Sequence, residues 1–309
     1  MNIQGAERRR MLNWLSTVNP SKHHNAAIEK KESGTGKWFL SCDKFYDWVH
    51  SPGLIWLYGI REWWSPNLLL VCRRLTACTL IEAGCGKTVL WYESPIPIRW
   101  QLSVKHPANL DCLVRSSSII DCIQDLCRAA DQCKSAYFYF NFQDTAEQYL
   151  DVVLRSLLRQ LAADEPQVPS TVEELCKQYQ EVGHDPPNKA LWDALVDTIR
   201  RSGKEIYIIL DALDELPEDR KERPKVLRCI AEFVQLGVRN LHILATSRDE
   251  FDIRKALGPL SETGTCIQTS EVDSDISKYV GSCLQDWTDL SQDIKTHVQK
   301  RLSKGACGM

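Results

Sequence analysis

Apolar residues along the chain form compact runs that alternate with stretches of helical spacing. The compact runs predict buried strands at residues 54–59, 135–142, 205–210 and 241–245, with a short fifth strand at 266–269. Strands that alternate with helices are typical of a parallel sheet covered by helices on both faces. The pattern therefore predicts an α/β fold built as a three-layer sandwich.

The stretches between these runs predict the helices. The first 50 residues form a helical lead, with a short helix at residues 9–15, then a loop, then an aromatic-rich helix within 37–50. A capping box at residues 144–147 opens a helix that reaches Leu161. Further helices are predicted at residues 172–180, 189–201 and 225–235, from residue 251, and at 273–284 and 291–302.

Composition narrows the class of protein. The chain has 309 residues, 43% of them hydrophobic and 26% charged, with a net charge of −3. This balance is ordinary for a globular protein and gives no support to a nucleic-acid or membrane-surface partner. No apolar run is long enough for a membrane span, and no signal-peptide core follows the start. Thirteen cysteines without a C-x-x-C pair predict reduced thiols, and the cytoplasm is the default location.

A glycine-rich segment carries the first candidate chemistry. Gly84, Cys85, Gly86, Lys87 and Thr88 spell the core of a phosphate-binding loop. Glycines let backbone N–H groups turn towards phosphates, the lysine reaches the β- and γ-phosphate oxygens, and the threonine hydroxyl binds Mg²⁺. The full motif also needs a glycine five positions before Gly86, and the residue there is Ile81.

Acidic residues follow the third predicted strand. Asp211 stands at its carboxyl end, and Asp214 and Glu215 come directly after it. A carboxylate at a strand end beside a phosphate loop holds Mg²⁺ in P-loop NTPases, and a second acid can accept a proton from the attacking water. The alternative is a solvated acidic loop after a buried strand.

A third motif ends the fourth predicted strand at Thr246-Ser247-Arg248. Carboxyl ends of parallel strands meet at one edge of a sheet, so Arg248 is predicted to lie beside the acidic residues. An arginine there can sense or stabilise the γ-phosphate. The alternative is a surface arginine paired with Asp249.

The order of phosphate loop, LDALDE and ATSR resembles the NACHT class of STAND P-loop NTPases. The flanks resemble the fungal set with a nephrocystin-like N-terminal domain, in LNWLS, TGKWFL, LIWLYGI, AYFYFNF and RSLLRQL. The resemblance implies Mg²⁺ with ATP or GTP, slow hydrolysis, and a conformational switch that self-associates through the NTPase domain. It also implies Walker A and Walker B roles for the residues above, in a domain at residues 51–272. Residues 273–309 would begin a helical domain that the chain truncates.

Two segments depart from that pattern, at residues 61–82 and 91–115. Joining Ile60 to Ala83 completes the phosphate-loop motif with Gly59 as its first glycine, and joining Leu90 to Ser116 continues the helix after the loop. We therefore predict that both segments are retained introns; genuine loop insertions are the alternative. The two segments contain four of the ten tryptophans, namely Trp63, Trp64, Trp91 and Trp100.

These observations predict a Mg²⁺-dependent nucleoside-triphosphate switch, and a nucleoside triphosphatase if the site is active. Lys87 and Thr88 would bind phosphate and metal, Asp211 would hold the metal, and Asp214 or Glu215 would activate water. For the 309-residue chain as written, weak or absent nucleotide binding is expected, because the first segment separates Gly59 from the loop. The alternatives are a non-catalytic scaffold fragment and a decayed gene product.

Overall fold

The computed structural model describes residues 3–16, 18–29, 37–59, 107–130, 132–142, 148–165, 167–217, 221–261, 265–266, 281, 284–285, 291–296 and 299. The chain divides into two compact units. One unit consists of residues 1–31, 35–59 and 112–267 and contains the whole described sheet. The other, residues 32–34, 60–111 and 268–309, lies almost entirely outside the described residues.

Five parallel strands form the sheet. They are β1 (Gly53–Gly59), β2 (Cys133–Tyr139), β3 (Glu205–Asp211), β4 (Leu241–Arg248) and β5 (Thr265–Cys266). Their order across the sheet is β2-β3-β4-β1-β5. Strand β3 is buried after its first residue and β4 before its last, as expected where both faces are covered. The α/β three-layer sandwich predicted from the apolar runs is confirmed.

Helices surround the sheet along its length. They are α1 (Ile3–Leu15), α2 (Pro20–Glu29), α3 (Lys37–Leu40), α4 (Asp43–His50), α5 (Pro107–Ala130), α6 (Leu150–Ala163), α7 (Ser170–Leu175), α8 (Asn188–Arg201), α9 (Glu222–Gln235) and α10 (Phe251–Leu257). A π-helical turn, Cys176–Gln180, continues α7, and a 3₁₀ turn, Leu213–Glu215, follows β3. Helix α5 crosses the predicted junction at Ser116, and the side chains described on it begin at that residue.

Alternating residues at the end of β2 and directly after it face the two helical layers. Phe138 and Phe140 belong to the apolar core that α6 and α8 complete with their leucines. Tyr139, on the other face, contacts His24 of α2, whose second ring nitrogen lies 3.1 Å from Asp121 of α5. The sheet therefore has helices on both sides, and its core is continuous through β3 and β4.

The N-terminal lead differs from the sequence prediction most clearly after Leu15; in addition, α1 begins at Ile3, and two helices, α3 and α4, replace the one expected within 37–50. We expected a loop after Leu15, but residues Pro20–Glu29 form a helix. Asn19 accepts a hydrogen bond from the N–H of Ser21 at 3.1 Å, and Pro20 occupies the first helical position. Both are helix-start signals, and the polar character of the segment concealed them. The capping box at 144–147, most of 273–284 and part of 291–302 lie outside the described residues.

Strand register brings three predicted site residues to one edge. Gly59 at the end of β1 pairs with Arg248 at the end of β4. One strand further, Leu210 pairs with Ala245, and Asp211 is the last residue of β3. The carboxyl ends of β1, β4 and β3 are therefore neighbours, as a phosphate site at this edge requires.

Candidate functional site

Asp211 is a fully buried carboxylate at the end of β3. Its Oδ1 accepts hydrogen bonds from the Thr246 hydroxyl at 2.5 Å and from the Ser116 hydroxyl. The Thr246 oxygen also accepts the N–H of Ala212 at 2.9 Å. Neighbouring strands and α5 thus fix one oxygen of the carboxylate.

The second oxygen of Asp211 is unusual because it is buried without a donor to bind it among the described residues. Oδ2 is buried and has no hydrogen-bond partner among the described residues. Burial raises the pKa of Asp211 to about 6, the hydroxyls of Ser116 and Thr246 lower it, and the charge of Asp214 raises it. At neutral pH the group is mostly ionised, and a buried anionic oxygen without a donor suits a hard cation such as Mg²⁺. The residues present therefore fit the predicted metal role of Asp211.

The backbone turns sharply directly after Asp211. Ala212 has a left-handed conformation, with φ of 60° and ψ of 49°, and is the non-glycine residue with positive φ among those described. Side chains other than glycine adopt it at a cost of about 1–2 kcal/mol. The turn redirects the chain into Leu213–Glu215, so that two further carboxylates stay at the edge of the sheet. Strain of this kind is typical of functional sites.

Asp214 is paired with Arg248. The Arg248 N–H donates to Oδ1 at 2.9 Å, and its Nε donates to Oδ2 at 2.6 Å. The Asp214 side chain is 5% exposed and that of Arg248 37%. The alternative of an Arg248–Asp249 pair is wrong, since Asp249 binds Arg254 through Nε at 2.8 Å. The structure brings these two predicted site residues together, but as partners of each other.

The carboxylate of Glu215 has a raised pKa. Burial raises its pKa to about 7, the N–H of Phe142 lowers it, Asp214 and Asp211 raise it, and Arg248 lowers it. The bond from Phe142 to Oε2 measures 3.0 Å. A group that titrates near neutral pH can both accept and release a proton there. The acids after β3 are therefore not a solvated loop, and Glu215 is the better placed of the two for proton transfer.

Arg223 is a site residue that the sequence did not indicate. It lies on α9, is 3% exposed, and donates to the carbonyl oxygens of Leu216 at 2.6 Å and Asp214 at 2.8 Å. It also donates to Glu250 at 2.5 Å. Its neighbours in sequence are ordinary for a surface helix, and no local signal predicts that it folds back onto the acidic turn.

The predicted phosphate loop belongs to a segment that the structure does not describe. Gly84, Cys85, Gly86, Lys87 and Thr88 all lie outside the described residues. Over the described ranges, no cluster of three or more histidine, cysteine or acidic residues could hold a metal, and no helix is long and apolar enough to cross a membrane. Of the two predicted metal ligands, the structure therefore describes Asp211 and not Thr88.

Comparison with known proteins gives a match to a family profile and a weak likeness to a solved structure. A profile of the family described as "Nephrocystin 3, N-terminal" matches residues 113–248, fewer than half of the chain. The chain is similar at 12% identity and a TM-score of 0.36 to the Aeropyrum pernix ORC2 protein in its ADP form, over 90% of this chain. It spans 55% of the length of that protein. No curated protein matches. The family match runs from α5 to Arg248 and includes every site residue described after β1.

Proposed function

We propose that the protein is a Mg²⁺-dependent nucleoside-triphosphate switch of the NACHT type, which binds ATP or GTP at the carboxyl edge of β1, β4 and β3 and hydrolyses it slowly. The observation that carries the proposal is the buried Asp211 at the strand end, with one oxygen fixed by Thr246 and the other without a hydrogen-bond partner among the described residues. The family match over residues 113–248 supports it.

Each residue has a distinct part. Lys87 and the loop amides would bind the phosphates, while Thr88 and Asp211 would hold the metal. Mg²⁺ supplies neutralisation of the charge on the phosphate oxygens. Glu215 accepts a proton from the attacking water, for which its pKa of about 7 is suited. Arg248 stabilises the terminal phosphate with the guanidinium nitrogens that Asp214 leaves unused.

The inserted segments bear directly on activity. A phosphate loop needs the strand, the loop and the following helix in one continuous unit, because its amides must be preorganised. We therefore propose that the form with Ile60 joined to Ala83 and Leu90 joined to Ser116 is the competent one. We place this switch in the cytoplasm, where thiols stay reduced, and propose that it self-associates through the NTPase domain.

The test measures binding of ATP and of GTP, each with and without Mg²⁺, to the 309-residue chain and to the joined form. We expect a Kd in the micromolar range or tighter for the joined form, at least tenfold weaker binding by the 309-residue chain, and loss of binding in Lys87→Ala. Lys189→Ala, which removes an 85% exposed lysine of α8, is the matched control. Asp211→Asn should remove the Mg²⁺ dependence. Unchanged affinity in Lys87→Ala would refute the assignment.

Phosphate release separates the switch from its alternative. The joined form should release phosphate, and Glu215→Gln should abolish release while binding persists. Binding without release in the parent protein would favour a non-catalytic scaffold, and absence of binding in both forms would favour a decayed gene product.

A further inference from the structure

Four charged residues form a closed ring beside the acidic turn, with one of its links made to a main-chain oxygen. Arg248 binds the carboxylate of Asp214 and lies 3.9 Å from Oε1 of Glu250. Arg223 donates to Oε2 of Glu250 at 2.5 Å and to the main-chain oxygen of Asp214 at 2.8 Å. We call this set the arginine ring: Asp214, Arg248, Glu250 and Arg223.

Arg223 connects two separate segments of the chain. Nε and Nη2 donate to Leu216 and Asp214, which close the turn after β3. Nη1 donates to Glu250 and lies 3.3 Å from Asp252, both in the segment after β4. The first segment carries Glu215 and the second follows Arg248. The planar guanidinium serves both segments at once because its donors point in fixed, divergent directions.

We propose that Arg223 is a positioning residue for the hydrolysis, which holds the turn that carries Glu215 against the segment that follows Arg248. The inference rests on the proposed function for its catalytic meaning, but the positioning itself concerns only described residues. Arg223 acts through the backbone of the turn and through Glu250, and it donates to no carboxylate oxygen of Asp214 or Glu215 among its hydrogen bonds.

The two roles that Arg223 could have, positioning the turn or acting only as a positive charge, predict opposite changes in the pKa of Glu215 when Arg223 is removed. Among the described residues, the groups that act on Glu215 include the carboxylates of Asp211 and Asp214, the guanidinium of Arg248 and the N–H of Phe142. If Arg223 acted only as a nearby positive charge, its removal would raise the pKa of Glu215. If it holds the turn, its removal lets Glu215 move towards water, and the pKa falls towards that of an ordinary glutamate.

The experiment is a carbon-13 NMR titration of glutamate carboxyl groups in the full 309-residue chain, without nucleotide. Glu215→Gln assigns the Glu215 signal. We expect a pKa of about 7 in the parent chain and a fall of at least about one pH unit in Arg223→Met. Arg223→Lys, which keeps the charge but cannot serve both segments, should give an intermediate value.

The matched control is Arg155→Met. Arg155 is 12% exposed, binds Asp185 at 2.8 Å, and belongs to α6 rather than to the site. Its removal should leave the Glu215 titration unchanged. If Arg223→Met does not fold, the titration of Arg223→Lys provides the test. A Glu215 pKa that is unchanged or raised in a folded Arg223 variant overturns the inference.

Hydrolysis by the joined form gives the catalytic readout. The acidic limb of its rate profile should move to lower pH in Arg223→Lys, together with a loss of rate of at least tenfold. Failure of the joined form to bind nucleotide refutes the proposed function and leaves the titration result standing. Nucleotide binding with an unmoved titration refutes the role of Arg223 and leaves the proposed function standing.

Discussion

Arg248 binds both carboxylate oxygens of Asp214, one through its main-chain N–H at 2.9 Å and the other through Nε at 2.6 Å. The carboxylate therefore serves as a fixed counter-ion for the end of β4. Of the two acids that the sequence offered for activating water, Asp214 is engaged in this way, and Glu215 keeps a pKa near neutral pH.

Replacement of Asp214 tests how much this pair stabilises the fold. In Asp214→Asn the amide group faces the Arg248 donors, and we expect a loss of about 1–2 kcal/mol in the free energy of unfolding. The loss is smaller than for a fully buried pair because Arg248 is 37% exposed. Urea unfolding measures it.

Asp249→Asn is the control for that substitution. Asp249 pairs with Arg254, whose side chain is 61% exposed, so a smaller loss than in Asp214→Asn is expected. Equal losses in the two variants would contradict the structural role of the Asp214–Arg248 pair.

The stability of the chain should depend on pH through Glu215. Its pKa is about 7 in the folded chain and ordinary in the unfolded chain, so the folded state binds more protons between these values. Stability therefore falls as the pH rises through this window. Glu215→Gln keeps an acceptor for the Phe142 N–H and removes the charge. We expect it to be more stable than the parent by about 1–3 kcal/mol at pH 8, and by much less at pH 5.

Denaturant titrations at the two pH values provide the measurement for Glu215. The control is Glu173→Gln, which removes a carboxylate of α7, a helix that contributes no group to the site. If the free energies of unfolding of Glu215→Gln and the parent differ by the same amount at pH 5 and at pH 8, the pKa of Glu215 is not raised.

The left-handed residue after β3 gives a backbone prediction. Ala212→Gly removes the strain at φ of 60° but loses a buried methyl group, so we expect a change within about 0.5 kcal/mol of zero. Ala245→Gly makes the same chemical change in extended β4, where nothing offsets the loss, and should destabilise by about 1–2 kcal/mol. Equal effects in thermal or urea unfolding would contradict the strained turn.

The predicted introns are tested by sequencing the transcript across the codons for residues 54–121. We expect Ile60 to join Ala83 and Leu90 to join Ser116, because the joined order restores a complete phosphate-loop motif directly after β1. A transcript that retains both segments would make them genuine insertions, and the proposed nucleotide site would then depend on a loop that closes across them.

The sheet was predictable because interior parallel strands are continuous apolar runs. The tip residues Asp211 and Arg248 followed from the same logic, since carboxyl ends of neighbouring strands meet at one edge. Helix α2 was missed because its contacts are polar: His24 packs through hydrogen bonds to Tyr139 and Asp121. Apolar periodicity does not report a helix held in that way.

Arg223 could not be found from the sequence for a different reason. Its partners come from two segments that are brought together only by the folding of β3 beside β4. The sequence of a charged helix does not distinguish a buried arginine from an exposed one. The role of Arg223 depends on acceptors whose positions no spacing rule predicts. The pairing of Arg248 with Asp214 rather than Asp249 likewise depends on the turn at Ala212.

Both main-chain polar groups of Arg248 are hydrogen-bonded. Its N–H is bound to Asp214, and its carbonyl oxygen accepts from the N–H of Glu250 at 2.9 Å and from the Ser247 hydroxyl at 2.8 Å. Any response of this arginine to a phosphate group is therefore confined to rotation of its side chain. In the proposed nucleotide site, contact with a phosphate group would therefore exchange the side-chain partners of Arg248 while the end of β4 keeps its position.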